Sequence, residues 1–364
     1  MFLLWAFGIV VSINCCYYLL FTRFSFLKRP IEKQAPIYPI SLLICAKNEA
    51  ENLKNNIPLW LNQDYANLEI ILINDASYDE TLDVMGKFAK EDSRIKIVNV
   101  KNNEAFWGNK KYALTLGIKK AKNKRLLFTD ADCRPASNLW LKTMASNFSE
   151  QKQLILGYGA YSKTSGLLNT LIRYETLLTA IQYFSYAKAG LPYMGVGRNL
   201  AYTSQLFYDN NGFISHMKVP SGDDDLFVNE VATRRNTAIC FEKEGFTYSD
   251  PKLTWQAWLI QKKRHMSTAK YYKPKHKILL GSFYICNVIF WILAFLSISL
   301  LDWKIPAALI AFRFIFELLV VGKAALKLNE KKLIPFIPLL EIFLVVVQMS
   351  IFISNSFSKP KRWK

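Results

Sequence analysis

The chain has 364 residues, 51% of them hydrophobic, with 47 Lys and Arg against 28 Asp and Glu, a formal charge of +19 at pH 7. That composition excludes disordered, collagen-like and small disulfide-stapled classes. Apolar blocks at 2–22 and 278–357 flank about 255 residues, the length of one large domain, so the expected plan is a catalytic-sized domain held between membrane segments.

Phe2 to Phe21 carries neither charge nor proline, and about 20 such residues cross roughly 30 Å of hydrocarbon as a helix. Residues 1–22 therefore read as a transmembrane anchor that stays attached, because Arg23, Lys28, Arg29 and Lys33 follow the apolar run, whereas a secretory signal puts positive charge before it. Basic residues stay on the cytoplasmic side. That rule places the juxtamembrane linker 23–40 and the domain 41–277 in the cytoplasm.

From residue 41 the pattern changes. Residues 41–45, 69–73, 95–98 and 125–129 are short apolar runs that read as strands. Between them, Leu53, Ile57 and Leu61, then Leu82, Met85 and Phe88, then Ala113, Leu114, Gly117 and Ile118 fall at helical spacing. Strand and helix alternate, which predicts an α/β domain with a mostly parallel, Rossmann-like sheet whose ligands bind beyond the carboxyl ends of the strands.

Those ends carry polar chemistry: Ala46-Lys47-Asn48-Glu49, then Asn74-Asp75-Ala76-Ser77, then Asp130-Ala131-Asp132. Each alone is an ordinary cap or turn, since Asn, Asp and Ser begin helices. Three on one sheet edge point to a site. Asp130 and Asp132, two residues apart after a strand, suit a hard cation such as Mg²⁺ or Mn²⁺ that keeps positions open for substrate phosphates.

Further along, Tyr174, Leu177, Leu178, Tyr183, Phe184 and Tyr186 make a helical aromatic face, suited either to a membrane interface or to a core. Ser221-Gly222-Asp223-Asp224-Asp225-Leu226 then crowds three acids behind a glycine turn. Like charges so close raise the pKa of at least one, which fits a carboxylate meant to take a proton from a hydroxyl; a solvated acidic loop or a second cation site are the plainer readings.

Between Lys252 and Lys277 there are eight Lys and Arg and no acid, directly before an apolar run, as expected of a juxtamembrane segment drawn to anionic membrane lipids. No nucleic-acid partner is expected, because no zinc-finger spacing, RNA-binding aromatic signature or basic repeat accompanies the charge. Cys15, Cys16 and Cys286 lie in apolar spans, while Cys45, Cys133 and Cys240 are scattered without a C-x-x-C pair, as reduced structural thiols would be.

Ile278 to Leu301 is an uncharged span, ending at an interfacial Asp302-Trp303-Lys304. Ile305 to Val321 holds Arg313 and Glu317, four apart on one helical face, where they can pair away from lipid. Leu333 to Asn355 is long enough to span but contains Pro335, Pro338 and Glu341, which leaves a kinked span or a re-entrant or interfacial helix. The C-terminal membrane region 278–357 thus has two or three spans. Lys323, Lys327, Lys331 and Lys332 ask for an inside loop and the basic tail 358–364 also asks for the inside, and both cannot hold if the last segment crosses fully.

Taken in order, Cys45-Ala46-Lys47-Asn48-Glu49, Asn74-Asp75-Ala76-Ser77, Lys110-Lys111-Tyr112-Ala113-Leu114, Asp130-Ala131-Asp132, Gly222-Asp223-Asp224-Asp225 and Gln261-x-x-Arg264 resemble the membrane-bound family 2 glycosyltransferases. The resemblance covers 41–265. It implies a GT-A fold and an inverting transfer from a nucleotide-diphosphate sugar, a UDP-sugar first among them, with Mg²⁺ or Mn²⁺, in the cell or inner membrane; the tethering of the domain by spans on both sides adds the expectation of a hydroxyl on a membrane-associated lipid as acceptor. By that resemblance Asn48 and Asp75 hold the nucleoside, Lys110 lies near the nucleotide or its phosphates, Asp130 with Asp132 carries the metal diphosphate, and Ala46, Glu49 and Ala131 belong to the same nucleotide-sugar site. Asp224 is the general base, with Asp223 or Asp225 as alternatives in that register. Gly197-Arg198-Asn199 lines the acceptor side, and Gln261 and Arg264 complete the nucleotide-sugar site.

Two departures matter. Asn74 stands where the family often has a second acid, and His265 stands where the terminal motif usually ends in Trp, which weakens a processive polymer-synthase reading. A catalytically inactive sugar-nucleotide binder keeps the same fold without the base. A transporter would distribute more polar residues through its spans.

Overall fold

The computed structural model describes residues 1–28, 38–101 and 110–357, with side chains through Ser354. Arg29 and Lys33, and in the basic tail Lys359, Lys361, Arg362 and Lys364, lie outside the described residues. The chain divides into two compact units. One is an α/β unit, 38–163 with 190–251; the other is helical, 1–28, 164–189 and 252–357.

In the α/β unit the described elements run β1 (Ile40–Ala46), α2 (Ala50–Leu61), β2 (Leu68–Asp75), α3 (Thr81–Glu91), β3 (Ile95–Val100), α4 (Lys110–Lys120), β4 (Arg125–Asp130), β5 (Cys133–Pro135), α5 (Trp140–Ala145), β6 (Leu154–Leu156) and β7 (Gly159–Tyr161). After the helical interruption come β8 (Leu200–Thr203), α7 (Ser204–Asp209), α8 (Asp225–Val231), β9 (Thr237–Ile239) and β10 (Thr247–Ser249). Seven strands form one sheet in the order β3-β2-β1-β4-β8-β6-β9, and β5-β10-β7 form a second. The four predicted strands are β1 to β4, all parallel, and β8 is antiparallel to β4 and β6.

The sequence explains why these runs pair. β1 and β2 are covered on both faces, so their buried positions form continuous aliphatic stretches without alternation. Leu53, Ile57 and Trp60 of α2 and Val84 and Met85 of α3 are buried against the same core, and full burial of one such aliphatic side chain contributes about 1.5–3 kcal/mol. Register then sets the site: Cys45 pairs with both Ile73 and Asp130, and Asp75 with Val100, so the carboxyl ends of β1, β2 and β4 stop on one edge.

α4 lies close against this sheet because residue 117 is glycine. A Cβ there would stand 2.2 Å from Ile73 Cδ1 and 2.9 Å from its Cγ1, so a larger side chain would force either Ile73 or the helix to move.

The helical unit contains α1 (Phe2–Ser25), α6 (Leu167–Lys188), α9 (Trp255–Met266), α10 (Pro274–Leu300), α11 (Lys304–Lys327) and α12 (Ile337–Phe357). Among the described residues four helical stretches are long and apolar enough to cross a membrane: Phe2–Ser25, Pro274–Leu300, Lys304–Lys327 and Lys331–Ser354. The last joins a short 3-10 turn, Lys331–Phe336, to α12, so Pro335 falls in the turn rather than inside the α-helix.

The aromatic face of α6 is core: Tyr174, Leu177, Tyr183, Phe184 and Tyr186 are buried, and Phe184 meets Phe24 of α1 at 4.9 Å between ring centres. Within the bundle Arg313 pairs with Glu317 at 2.6 Å, as the four-residue spacing predicts, and also with Glu341 of α12 at 2.7 Å. Asn287 Oδ1 accepts from the same guanidinium at 3.4 Å, and Tyr18 donates to Glu341 at 3.4 Å. Buried charge is tolerated here because each group is paired and hydrogen-bonded.

Candidate active site

The loops after β1 and β2 are stitched to each other. Asn48 sits at φ +57°, in the left-handed region that Asn tolerates, and its backbone N–H donates to Ser77 Oγ at 3.0 Å. Tyr78 N–H returns a bond to Asn48 Oδ1 at 3.0 Å, and Glu49 N–H donates to Thr81 Oγ1 at 2.8 Å. Asn74 donates to Asn99 Oδ1 at 2.9 Å and accepts from Ser77 N–H at 3.2 Å, work that needs both ends of an amide. Asp75 beside it supplies the carboxylate. Burial raises its pKa, with Lys47 and Lys110 pulling the other way.

Lys110, in the first turn of α4, pairs with Asp130 at 2.8 Å and Asp223 at 2.9 Å. It thereby joins the end of β4 to the three-acid loop. Gly222 makes that loop possible: its φ is +99°, and a Cβ would stand 2.5 Å from Leu226.

The three acids are not equivalent. Burial tends to raise the Asp223 carboxyl, but Lys110 beside it outweighs this and holds it below its ordinary value. Asp224 is pushed up to about 7 by burial and by the charges of Asp223 and Asp225. Its Oδ2 accepts the Gly197 N–H and its Oδ1 the Asp225 N–H, each at 2.7 Å, which fixes the carboxyl at the start of α8. Asp225 is buried and accepts the N–H of Leu226 at 2.8 Å.

One cleft gathers these groups. Lys110, Asp130, Gly197, Asp223 and Asp224 line it, with Cys45 and Tyr202 among its walls. Asp75 and Asp132 stand at neighbouring strand ends, outside that lining. Ala131 is buried, its carbonyl taking a bond from Asn56 at 2.8 Å.

Asp130, Asp132 and Cys133 present ligand-type atoms within 4.8 Å of one another. The two carboxylates are hard oxygen donors, and the buried Cys133 thiol donates to Asp132 Oδ1 at 3.4 Å. The carboxylate pair is thus the part of the trio that fits a Mg²⁺-like or Mn²⁺-like ion.

Gly197, Arg198 and Asn199 divide their tasks. Gly197 faces Asp224. The Arg198 guanidinium lies 4.2 Å over the Tyr161 ring and donates to Ala160 O at 3.1 Å and Ser249 Oγ at 2.9 Å. Asn199 is fully buried, donating to Tyr158 O at 3.0 Å and Gly245 O at 2.7 Å and accepting from Trp140 Nε1 at 3.1 Å, so its amide braces the two sheets from inside. Gln261 and Arg264 lie on α9 in the helical unit and are not part of the cleft lining.

Sequence reading overlooked Lys111 as more than a member of a motif. It is buried at 1% exposure with its ammonium under the acidic loop; the only signal was a second lysine inside an apolar helix pattern.

Residues 41–196 match the Glycosyl transferase family 2 model. An uncharacterized glycosyltransferase of Haemophilus influenzae is 28% identical over 203 residues, 53% of this chain and 60% of that protein. The Escherichia coli UDP-Glc:alpha-D-GlcNAc-diphosphoundecaprenol beta-1,3-glucosyltransferase WfaP is 31% identical over 125 residues, 34% of this chain and 47% of that protein. The chain thus spans about half of the length of these curated relatives. Among solved structures, the mannosyltransferase PcManGT of Pyrobaculum calidifontis, in complex with GDP-Man and Mn²⁺, shares the fold with a TM-score of 0.57 at 18% identity, covering 90% of this chain and 99% of that one. Residues 41–196, which hold the first strand ends of the cleft, carry the match to glycosyl transferase family 2 on a GT-A-type α/β fold, and among the described residues four helical stretches are long and apolar enough to cross a membrane.

Proposed function

We propose that the chain is an inverting glycosyltransferase that moves a sugar from a nucleotide-diphosphate sugar, a UDP-sugar first among them, to a hydroxyl of a membrane-borne lipid acceptor. The observation that carries this reading is the meeting of Lys110, Asp130, Asp223 and the Gly197-bound Asp224 in one cleft. The apolar helices support a membrane setting, and the basic residues that follow the first apolar run favour the cytoplasmic side for the α/β unit. The WfaP name, with its UDP-sugar donor and diphosphoundecaprenol acceptor, supports the substrate classes.

Asn48 and Asp75, with Ala46 and Glu49, line the nucleoside end of the donor site, and Lys110 offsets phosphate charge. Asp130 and Asp132 would hold a divalent cation, whose chemistry there would be to neutralise diphosphate charge. Asp224 takes the proton from the acceptor hydroxyl as the oxygen attacks the anomeric carbon opposite the leaving group; a carboxyl titrating near 7 is poised for that exchange at neutral pH. Gly197 N–H keeps that carboxyl aimed. Gly197 and Arg198 border the acceptor side, braced by Asn199, and Gln261 and Arg264 are assigned to the donor by family resemblance alone.

The test uses the full chain in lipid with Mn²⁺ or Mg²⁺ and a panel of nucleotide sugars, following release of nucleoside diphosphate. The wild type should turn over at least one donor with extracted lipid. Asp130→Ala with Asp132→Ala should lower turnover by about 1,000-fold or more. Full turnover by that double variant would defeat the assignment.

A further inference from the structure

We propose that Lys111 is a positioning residue that latches the 219–224 strap from beneath and so sets where Asp223 and Asp224 stand in the cleft. The inference rests on the reading of that cleft as the transfer site and adds to it a group that never touches substrate.

Lys110 and Lys111 are consecutive on α4, so their side chains leave the helix about 100° apart. Lys110 reaches the cleft. Lys111 turns inward, where its ammonium donates to the carbonyls of Val219 and, at 2.9 Å, Ser221. These two carbonyls belong to an irregular stretch containing Pro220 and the left-handed Gly222, where no sheet ladder supplies donors. An ammonium carries three N–H groups, enough to hold both carbonyls at once.

The strap's far end is pinned separately. Asp224 receives Gly197 N–H, and its carbonyl accepts from Val228 N–H at 2.9 Å. Lys111 therefore fixes the entry to the acidic loop and Gly197 fixes its exit at Asp224, with Gly222 and Asp223 between them and Asp223 also paired with Lys110. Because Gly117 seats α4 tightly on Ile73 and Leu43, the latch is anchored to the sheet that carries Asp130. A cation so deeply enclosed is unavailable to a donor phosphate, which separates its task from that of Lys110.

The experiment compares Lys111→Met and Lys111→Arg in the full chain in lipid, reading backbone hydrogen exchange together with donor kinetics. Lys111→Met should raise exchange across 219–225 by about tenfold, with β1 to β4 unchanged. It should also lower kcat about 30-fold while donor KM stays within about threefold, because donor binding survives and the base is misplaced. Lys111→Arg, which keeps the charge and two donors, should recover most of both. Unchanged exchange in Lys111→Met overturns the proposal, whatever the kinetics. If Lys111→Met fails to fold, native exchange and kcat in Lys111→Arg support the latch, and unfolding of both variants overturns it in favour of general packing. A wild type that turns over no donor would sink the transfer reading, while the exchange comparison would still decide the latch.

Discussion

Each unit of the chain contains a cation held between two carboxylates, and the two trios differ in exposure. In the α/β unit Lys110 lies between Asp130 and Asp223, with side-chain exposures of 23%, 34% and 14%. In the helical unit Arg313 lies between Glu317 and Glu341, with exposures of 0%, 2% and 4%. The open trio can exchange partners with an incoming ligand because water screens and replaces each contact. The sealed trio cannot, since losing one member strands a charge where no solvent reaches it. The same chemistry thus stands open to a ligand in one place and acts as a fastener in the other.

The contrast breaks most sharply at Arg313. Arg313→Met should cost about 3–5 kcal/mol, seen as a large fall in unfolding temperature in lipid or detergent, and combining it with Glu317→Gln and Glu341→Gln should restore most of that loss. A mild effect of the single change would put the sealed trio in the same class as the open one. Lys110→Met should cost less stability than Arg313→Met, because its partners keep some exposure to water, while nucleoside diphosphate release falls about 100-fold.

A pH series sharpens the comparison further. Asp224 binds its proton up to about pH 7 in the folded chain, well above the value of a carboxyl in an unfolded one. Between those values the folded state holds the extra proton, so this group's contribution to stability falls as pH rises through the window and stays low above 7. Turnover should climb across the upper part of the same window, because the base must be ionised. Asp224→Asn should therefore melt higher than wild type at pH 8 and show no such climb; equal melting of the two would remove the burial of that charge from the account.

Much of this was legible in the sequence where burial makes a repeating pattern. β1 to β4 lie within a residue or two of the predicted runs, because strands covered on both faces must be continuously apolar. β5, β6, β7, β9 and β10 have three residues each, too few to show any period, and the antiparallel placement of β8 beside β4 depends on contacts between distant segments. In the site, the strand-end acids were visible by position. The differing environments of Asp223, Asp224 and Asp225 were not, since they depend on Lys110 and on a backbone N–H from Gly197. Arg313 and Glu317 announced themselves by spacing, whereas Glu341, on another helix, gave no local sign of joining them. Lys111 was hardest to read, because an internal lysine looks like a surface one until its carbonyl partners are known.

Ala76, directly after β2, has φ +50°, a conformation that an L-residue with a Cβ adopts at a cost of about 1–2 kcal/mol. Folding has already absorbed that expense, and Asn74, Ser77 and Asn48 hold the bend shut on both sides. A molecule docking against this corner meets a wall whose shape is settled beforehand, so association there should proceed as a fit to a rigid template, with little ordering of the main chain left to do.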